Sequence, residues 1–498
     1  MKDLRKPSIG IKSRSALVKM NHQKIFDTCD KIIRYTFYVL IYFLPISIAL
    51  VEIFASTALV AFFVKRGFVF HQALLKKQSR STGIGGKIQL FLQSYKPQTT
   101  YLNWPIGIFI LMNAFSVVFS QNLELSIKGF FFKLLQGAYL YFNFVEAFKT
   151  RKQLQIFIII FLVSASLMGV DSIIQLMTGK SLIYGHPLID GRVTAAFKHP
   201  NDFGSYLVVV FPLLLGIFFL YGAPHTYFSA RKNKRSEKEC SWLCRTLLLG
   251  VVILTLVCLG LTLSRGAWLG AFAALAFLAL KFRRLLPLLL ILGIVFWFIF
   301  IPRIAAIRNV SMLSDDVSFH KHMDQQMETE KGQGTASMPL YTGEEAFVET
   351  ASRQMGRIRD FSGMGRKKFW NEAWMMIKGS PILGTGLNTY SNIAVERKIN
   401  HGGYAHNCYL QMASEIGILG LLAFLWIVGA IYRNACCYLQ KVEDQFLYAV
   451  SAGILAGLTG FLVHIAVDTA LYSVQLGNFL WVIFGILVTA QRLGGIKN

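Results

Sequence analysis

Residues 246–280 read TLLLGVVILTLVCLGLTLSRGAWLGAFAALAFLAL, an apolar run with a single charge, Arg265. As one helix it would extend about 50 Å, whereas the hydrocarbon core of a bilayer is about 30 Å thick. The run must therefore fold back on itself, and Ser264-Arg265-Gly266 is where it turns. The same arithmetic splits the nearly unbroken apolar residues 32–64 into a hairpin, with Glu52 marking the turn. A chain built from such hairpins is a polytopic membrane protein.

Composition agrees. The 498 residues are 54% hydrophobic and 15% charged, and 41 are Phe. A soluble protein carries about 25% charge. The formal charge of +25 would suggest nucleic acid in a soluble protein. Here most Lys and Arg fall in short loops between apolar spans, as on a cytoplasmic membrane face, and no basic, aromatic-interleaved soluble domain exists to hold nucleic acid. The seven cysteines form no disulfide framework. Cys240 and Cys244 lack the second pair a zinc site needs, so no metal is expected. Cys408 is placed near the outer face without an evident partner.

Outward from the opening hairpin, residues 1–31 read as an uncleaved basic cytoplasmic tail, because no apolar core arrives early enough for a signal peptide. After the hairpin at 32–64 a basic loop is expected from Lys65 to about Thr100, made flexible by Gly83, Gly85 and Gly86. Spans follow at about 101–119 and 129–147, turning at Gln121-Asn122, then at 154–176 and 203–222. The basic run at 231–238 belongs inside. The two arms of 246–280 and a span reaching Ile301 come next, and the last three are at 408–432, 446–466 and 470–490. The fold expected is all-α, with about twelve transmembrane helices, both termini cytoplasmic, and one large external loop between spans nine and ten. Residues 32–301 hold the first nine spans, 302–407 the loop, and 408–498 the rest with a short tail. The loop is acidic over 312–350 and basic over 351–400. Phe369, Trp370, Ala373, Trp374 and Ile377 recur at helical spacing, which predicts an amphipathic helix at 363–378 lying on the membrane, aromatic side down. Pro381 and Gly384-Thr385-Gly386 end it.

Three clusters fall on the outer face. Arg192 to Asn201, including Lys198 and His199, leads into span six. Arg265 tips its hairpin. His406-Asn407 opens span ten, with Glu415 about two turns deeper. Each has a plainer reading: Arg192 and Lys198 as solvated loop charges, Arg265 snorkelling to headgroups, His406 as a polar cap, Glu415 facing a polar bundle interior. His320 and His322 are too few for a metal site. Taken together, guanidinium groups suit a pyrophosphate and a neutral imidazole suits general-base work. An apolar bundle opening sideways suits a lipid tail. The reaction implied is group transfer from a lipid diphosphate to a hydroxyl.

On these residues the chain resembles the O-antigen ligase and polymerase superfamily of the bacterial inner membrane. The ligase signature is His, then Asn, Ser or Gln, nine residues, and Gly-x-x-Gly; here it is His406-Asn407, Cys408 through Ile416, and Gly417-Ile418-Leu419-Gly420. Leu421-Leu422 stand where the ligase often has threonines. Phe197-Lys198-His199-Pro200-Asn201, Leu263-Ser264-Arg265-Gly266 and Pro381-Ile382-Leu383-Gly384-Thr385-Gly386 are similar to further family motifs. The similarity covers about residues 150–435. It implies a metal-independent, inverting glycosyl transfer without a cofactor, at an active site facing the periplasm. The donor would be an undecaprenyl-diphosphate-linked glycan, the acceptor a hydroxyl of lipid A–core. His406 would take the acceptor proton or orient the acceptor. Arg265, Arg192 and Lys198 would hold the diphosphate, and the amphipathic helix at 363–378, with Trp370 among the supporting residues, would help form a lateral portal. Asn407, Glu415, His199, Asn201, Gly384 and Gly386 would support them. A polymerase of the same superfamily and a glycan-to-protein transferase remain open, and so does a transporter with twelve spans. A transporter would more often pair its halves about a cytoplasmic hinge.

Overall fold

A computed structural model describes residues 11–77, 84–220, 242–295, 298, 364–396 and 403–495. The basic run 231–238, the acidic segment 312–350 with His320 and His322, and the arginines at 353–359 lie outside the described residues. Among the described residues the chain is helical and has no strand. Seven helices are long and apolar enough to cross a membrane: Ile48–Leu75, Arg151–Thr178, Pro200–Leu220, Trp242–Leu261, Cys408–Leu439, Gln445–His464 and Val474–Leu493. Asn103–Val118, Arg265–Leu280 and Leu286–Val295 are shorter apolar helices. The protein is therefore a multi-pass membrane protein, helical throughout its described spans.

The opening hairpin folds as expected: Trp242–Leu261 breaks before Arg265–Lys281, and the Ser264 hydroxyl caps the second arm by accepting from Ala267 N at 3.4 Å. An N-cap side chain satisfies one of the four N–H groups a helix start leaves unpaired. Thr150 and Gln153 form a reciprocal capping box on the helix Arg151–Thr178, and Gly179, at φ 80°, ends it.

The first hairpin differs from expectation. The chain turns at 44–47, not at Glu52, which lies inside the helix Ile48–Lys77 and accepts from Gln136 Nε2 at 2.9 Å. The expected basic loop from Lys65 is largely helical too, as the end of that helix and as Ile84–Tyr95. Lys65 is buried between Asp30 and Glu146, and Arg66 also pairs with Glu146. Charge marked these residues as loop, whereas carboxylates from two other helices neutralise them within the bundle.

Gln445–His464 is the central helix. Backbones meet along it: a Cβ at Gly453 would lie 2.7 Å from Leu213 Cα, one at Gly457 2.9 Å from Val209 Cα, and one at Gly460 2.5 Å from Gly270 O. Small residues permit this approach, which in a membrane supplies packing that the hydrophobic effect does not. The same contacts bring the starts of Pro200–Leu220 and Arg265–Lys281 together, since a Cβ at Gly204 would sit 2.8 Å from Ala267 Cβ.

Candidate active site

Three helix starts, at Pro200, Arg265 and Cys408, converge on the loop 465–473. Cys408 N donates to Ile465 O at 2.8 Å, and Cys408 Sγ to Asp468 O at 3.2 Å, so this thiol is buried and partnered. Asn201 Nδ2 donates to Asp468 Oδ2 at 2.6 Å. A Cβ at Gly266 would lie 2.9 Å from Val467. Helix N-termini carry positive dipole ends, so such a convergence favours negative charge, and Asp468 lies within it.

Arg192 is buried, which excludes the solvated-loop reading for it. Its Nε donates to Thr262 O at 2.7 Å and its Nη2 to Asn201 Oδ1 at 2.6 Å. Asn201 thus links Arg192 to Asp468. Lys198 and His199 sit exposed at the rim. His199 is held below the ordinary histidine range by the dry protein around its inner edge, against the pull of Asp468 and with the push of Arg192 and His406. Arg265 is half-buried and feels the positive charge of Arg366, brought alongside by the helix Met364–Gly379.

Asp468 and His464 enter the site unforeseen. His464 Nε2 is 3.9 Å from Asp468 Oδ2 and 3.4 Å from Ser205 Oγ. Burial pushes the Asp468 carboxyl up, but the imidazole of His464, the charge of His406 and the Thr469 N–H outweigh it and hold the group well below the carboxylate range. The signal in the sequence was a lone acid in the short turn Ile465-Ala466-Val467-Asp468-Thr469. Arg366 was hidden among many loop arginines, although it precedes Phe369 and Trp370 by three and four positions.

His406 adopts φ 50°, a left-handed conformation rare outside glycine. It sits one residue before the cap: Asn407 Oδ1 accepts from Tyr409 N and Leu410 N, both at 3.0 Å. The cap role considered for His406 therefore belongs to Asn407. The Phe369 ring lies 5.7 Å from the imidazole. The amphipathic helix buries Ala373, Met376 and Ile377, while Trp374 and Met375 are exposed and Trp370 is half-buried. Its aromatics thus divide between the His406 loop and the outer surface instead of forming one downward face.

Glu415 does not join His406. Asn388 N and Tyr472 OH donate to Oε2 at 3.0 and 3.1 Å, and Tyr390 N and Gln411 Nε2 to Oε1 at 3.2 and 3.3 Å. Four donors occupy the carboxyl, so it acts as a brace. Gln411 Oε1 also accepts from Ala405 N at 3.2 Å, which ties the brace to the residue before His406. Gly384 and Gly386 lie in the turn that the brace holds. Gly417, at φ 72° and ψ 175°, breaks the helix and lets that turn dock on it. Across the junction Thr385 N donates to Ser414 O, Gly386 N to Glu415 O and Ile418 N to Pro381 O, each at 2.9 Å. A Cβ at Gly384 would lie 2.6 Å from Gly417 N, and one at Gly417 2.6 Å from Leu383 N. The two glycine motifs are two halves of one backbone joint, and that joint fixes the depth at which the His406 helix begins.

Residues 250–425 match the family described as O-Antigen ligase, a span that holds Arg265, Arg366, the glycine joint and His406. The resemblance read from the motifs is thereby borne out. No curated protein matches the chain.

Proposed function

We propose, for a chain carrying an O-antigen ligase domain at residues 250–425, that it moves a glycan from undecaprenyl diphosphate to a hydroxyl of lipid A–core. The observation that supports this reading is the convergence of three helix starts, one opened by Arg265 with Arg366 near it, one preceded by His406, and one tied to Arg192 through Asn201. In the reaction, the acceptor oxygen attacks the anomeric carbon and the bond from that carbon to the phosphate oxygen breaks. His406 takes the acceptor proton as its oxygen–carbon bond forms. Arg265 and Arg366 neutralise the diphosphate as it leaves on its lipid, and Arg192 fixes the floor through Asn201 and Asp468. Attack opposite the leaving group inverts the anomeric centre. No metal is required, because the guanidinium groups supply the positive charge. The site would face the periplasm of the inner membrane, where the lipid-linked donor is presented.

A polymerase of the same superfamily would use nearly the same geometry. A deletion strain separates the two. Accumulation of long glycan chains on the lipid carrier supports ligation to lipid A–core. Single repeat units on the core would point instead to polymerisation, and intact long-chain lipopolysaccharide with loss of a glycoprotein to transfer onto protein.

A further inference from the structure

A cavity of about 130 Å³ lies between the helices Asn103–Val118, Cys408–Leu439 and Val474–Leu493 and the helical turn Phe130–Leu135. None of His406, Arg192, Arg265 or Asp468 lines it. Its walls are mainly apolar, with Phe109, Phe424 and Trp481 among them, and an apolar space of about 150 Å³ accepts a benzene ring. The volume thus suits one isoprene unit or a short length of acyl chain. Phe132 lines the cavity and is 67% exposed, so it opens sideways onto the outer surface of the bundle.

Hydrogen-bond donors are set into this apolar wall. Lys133 stands in a π-helical turn, Phe130–Leu135, between Leu123–Gly129 and Gln136–Ala147. Such turns are rare and recur at functional sites. Its Nζ donates to the neutral Asn388 Oδ1 at 2.8 Å and lies 6.0 Å from the centre of the Tyr472 ring. Among the described residues Lys133 makes no ion pair within 4 Å, although it feels the charge of Glu415, whose carboxyl also lines the cavity and is taken up by its own four donors. Asn478, 3% exposed, lines the same cavity, and its Nδ2 has no hydrogen-bond partner. A buried amide donor and a cation beside an apolar wall are each costly unless something accepts from them.

We infer that this cavity binds an anionic amphiphile, with a phosphate accepting from Lys133 and Asn478 and a flexible apolar chain against Phe109, Phe424 and Trp481. The cavity shares Glu415, Asn388 and Tyr472 with the brace but none of the residues given a role in transfer, and it is read by binding alone, so it stands or falls independently of the function proposed above.

The test uses the full chain purified in neutral detergent. Its probes are polyprenyl monophosphate and phosphatidylglycerol, each with a diazirine in the chain, plus inorganic phosphate and an uncharged polyprenol. Photolabelling is expected at Phe132 and between Leu480 and Phe484. Lys133→Met and Asn478→Leu should each weaken binding of the phosphate amphiphile roughly tenfold or more, with the polyprenol unaffected. Tighter binding of polyprenyl monophosphate would identify the occupant as a carrier lipid, and tighter binding of phosphatidylglycerol as a bulk lipid; both support the site. Labelling of neither segment in the wild-type chain overturns it, whether or not the variants fold. Equal affinity for inorganic phosphate alone also overturns it, because the chain would then contribute nothing.

Discussion

Gly417→Ala tests the backbone joint that seats the His406 helix. At φ 72° and ψ 175° the residue occupies a region open essentially to glycine, which costs about 1–3 kcal/mol for any other residue. The added Cβ would also lie 2.6 Å from Leu383 N and inside the contact shell of Ile382 O. Both are backbone atoms, so relief requires the turn 381–386 to lift away. Lifting it breaks up to three hydrogen bonds, those of Thr385 N, Gly386 N and Ile418 N, at about 1 kcal/mol each. The expected destabilisation is about 4 kcal/mol, large beside the ~1 kcal/mol typical of a point mutation. Gly429→Ala is the control in the same helix: nothing lies within 4 Å of its Cβ, so stability should stay level or rise by up to about 1 kcal/mol. Thermal unfolding of both purified variants, followed by tryptophan fluorescence, makes the comparison. If Gly417→Ala melts with the wild type, the joint does not hold as described and the reasoning fails.

Three further outcomes are expected. Arg265→Ala should abolish glycan transfer with the fold intact, and Arg265→Lys should restore only part of it because a point charge replaces a planar fork; normal transfer in Arg265→Ala removes that residue from the site. Asp468→Asn should destabilise the chain by about 1–3 kcal/mol at neutral pH. Because the folded carboxyl titrates below its unfolded value, this stabilisation is complete above the unfolded value of about 4 and is lost as pH falls toward the lower folded one. The gap between wild type and Asp468→Asn in melts should therefore hold from pH 7 to about 5 and close below it; a gap that widens in acid would contradict the assignment. Ser264→Ala, which removes the cap on the Arg265 helix, should cost about 1 kcal/mol and reduce transfer less than Arg265→Ala does, as paired melting and transfer assays would register.

Helix positions were largely legible because apolar length and charge fix where a chain crosses a bilayer. The hairpin at 246–280 and the helix Met364–Gly379 emerged close to where the pattern put them. The error at Lys65 arose from the same rule. A charge reads as loop unless its partners are known, and Asp30 and Glu146 come from distant parts of the chain. Within the site, Arg265, Arg192 and His406 stood out as polar residues bordering apolar spans. Asp468 and His464 did not, because their meaning depends on Asn201 and Ser205 arriving from another helix. The glycines at 384, 386 and 417 were visible as motifs, but their reciprocal docking is a tertiary fact that no local pattern encodes.

The central claim is that His406 takes the acceptor proton. Its most direct test is transfer of glycan from the lipid diphosphate to lipid A–core by purified His406→Ala, with melting measured on the same sample. A general base contributes about 10²–10⁴-fold, so the account expects transfer to fall by roughly a hundredfold or more while the melting temperature stays near that of the wild type. Undiminished transfer by a folded His406→Ala protein would contradict it.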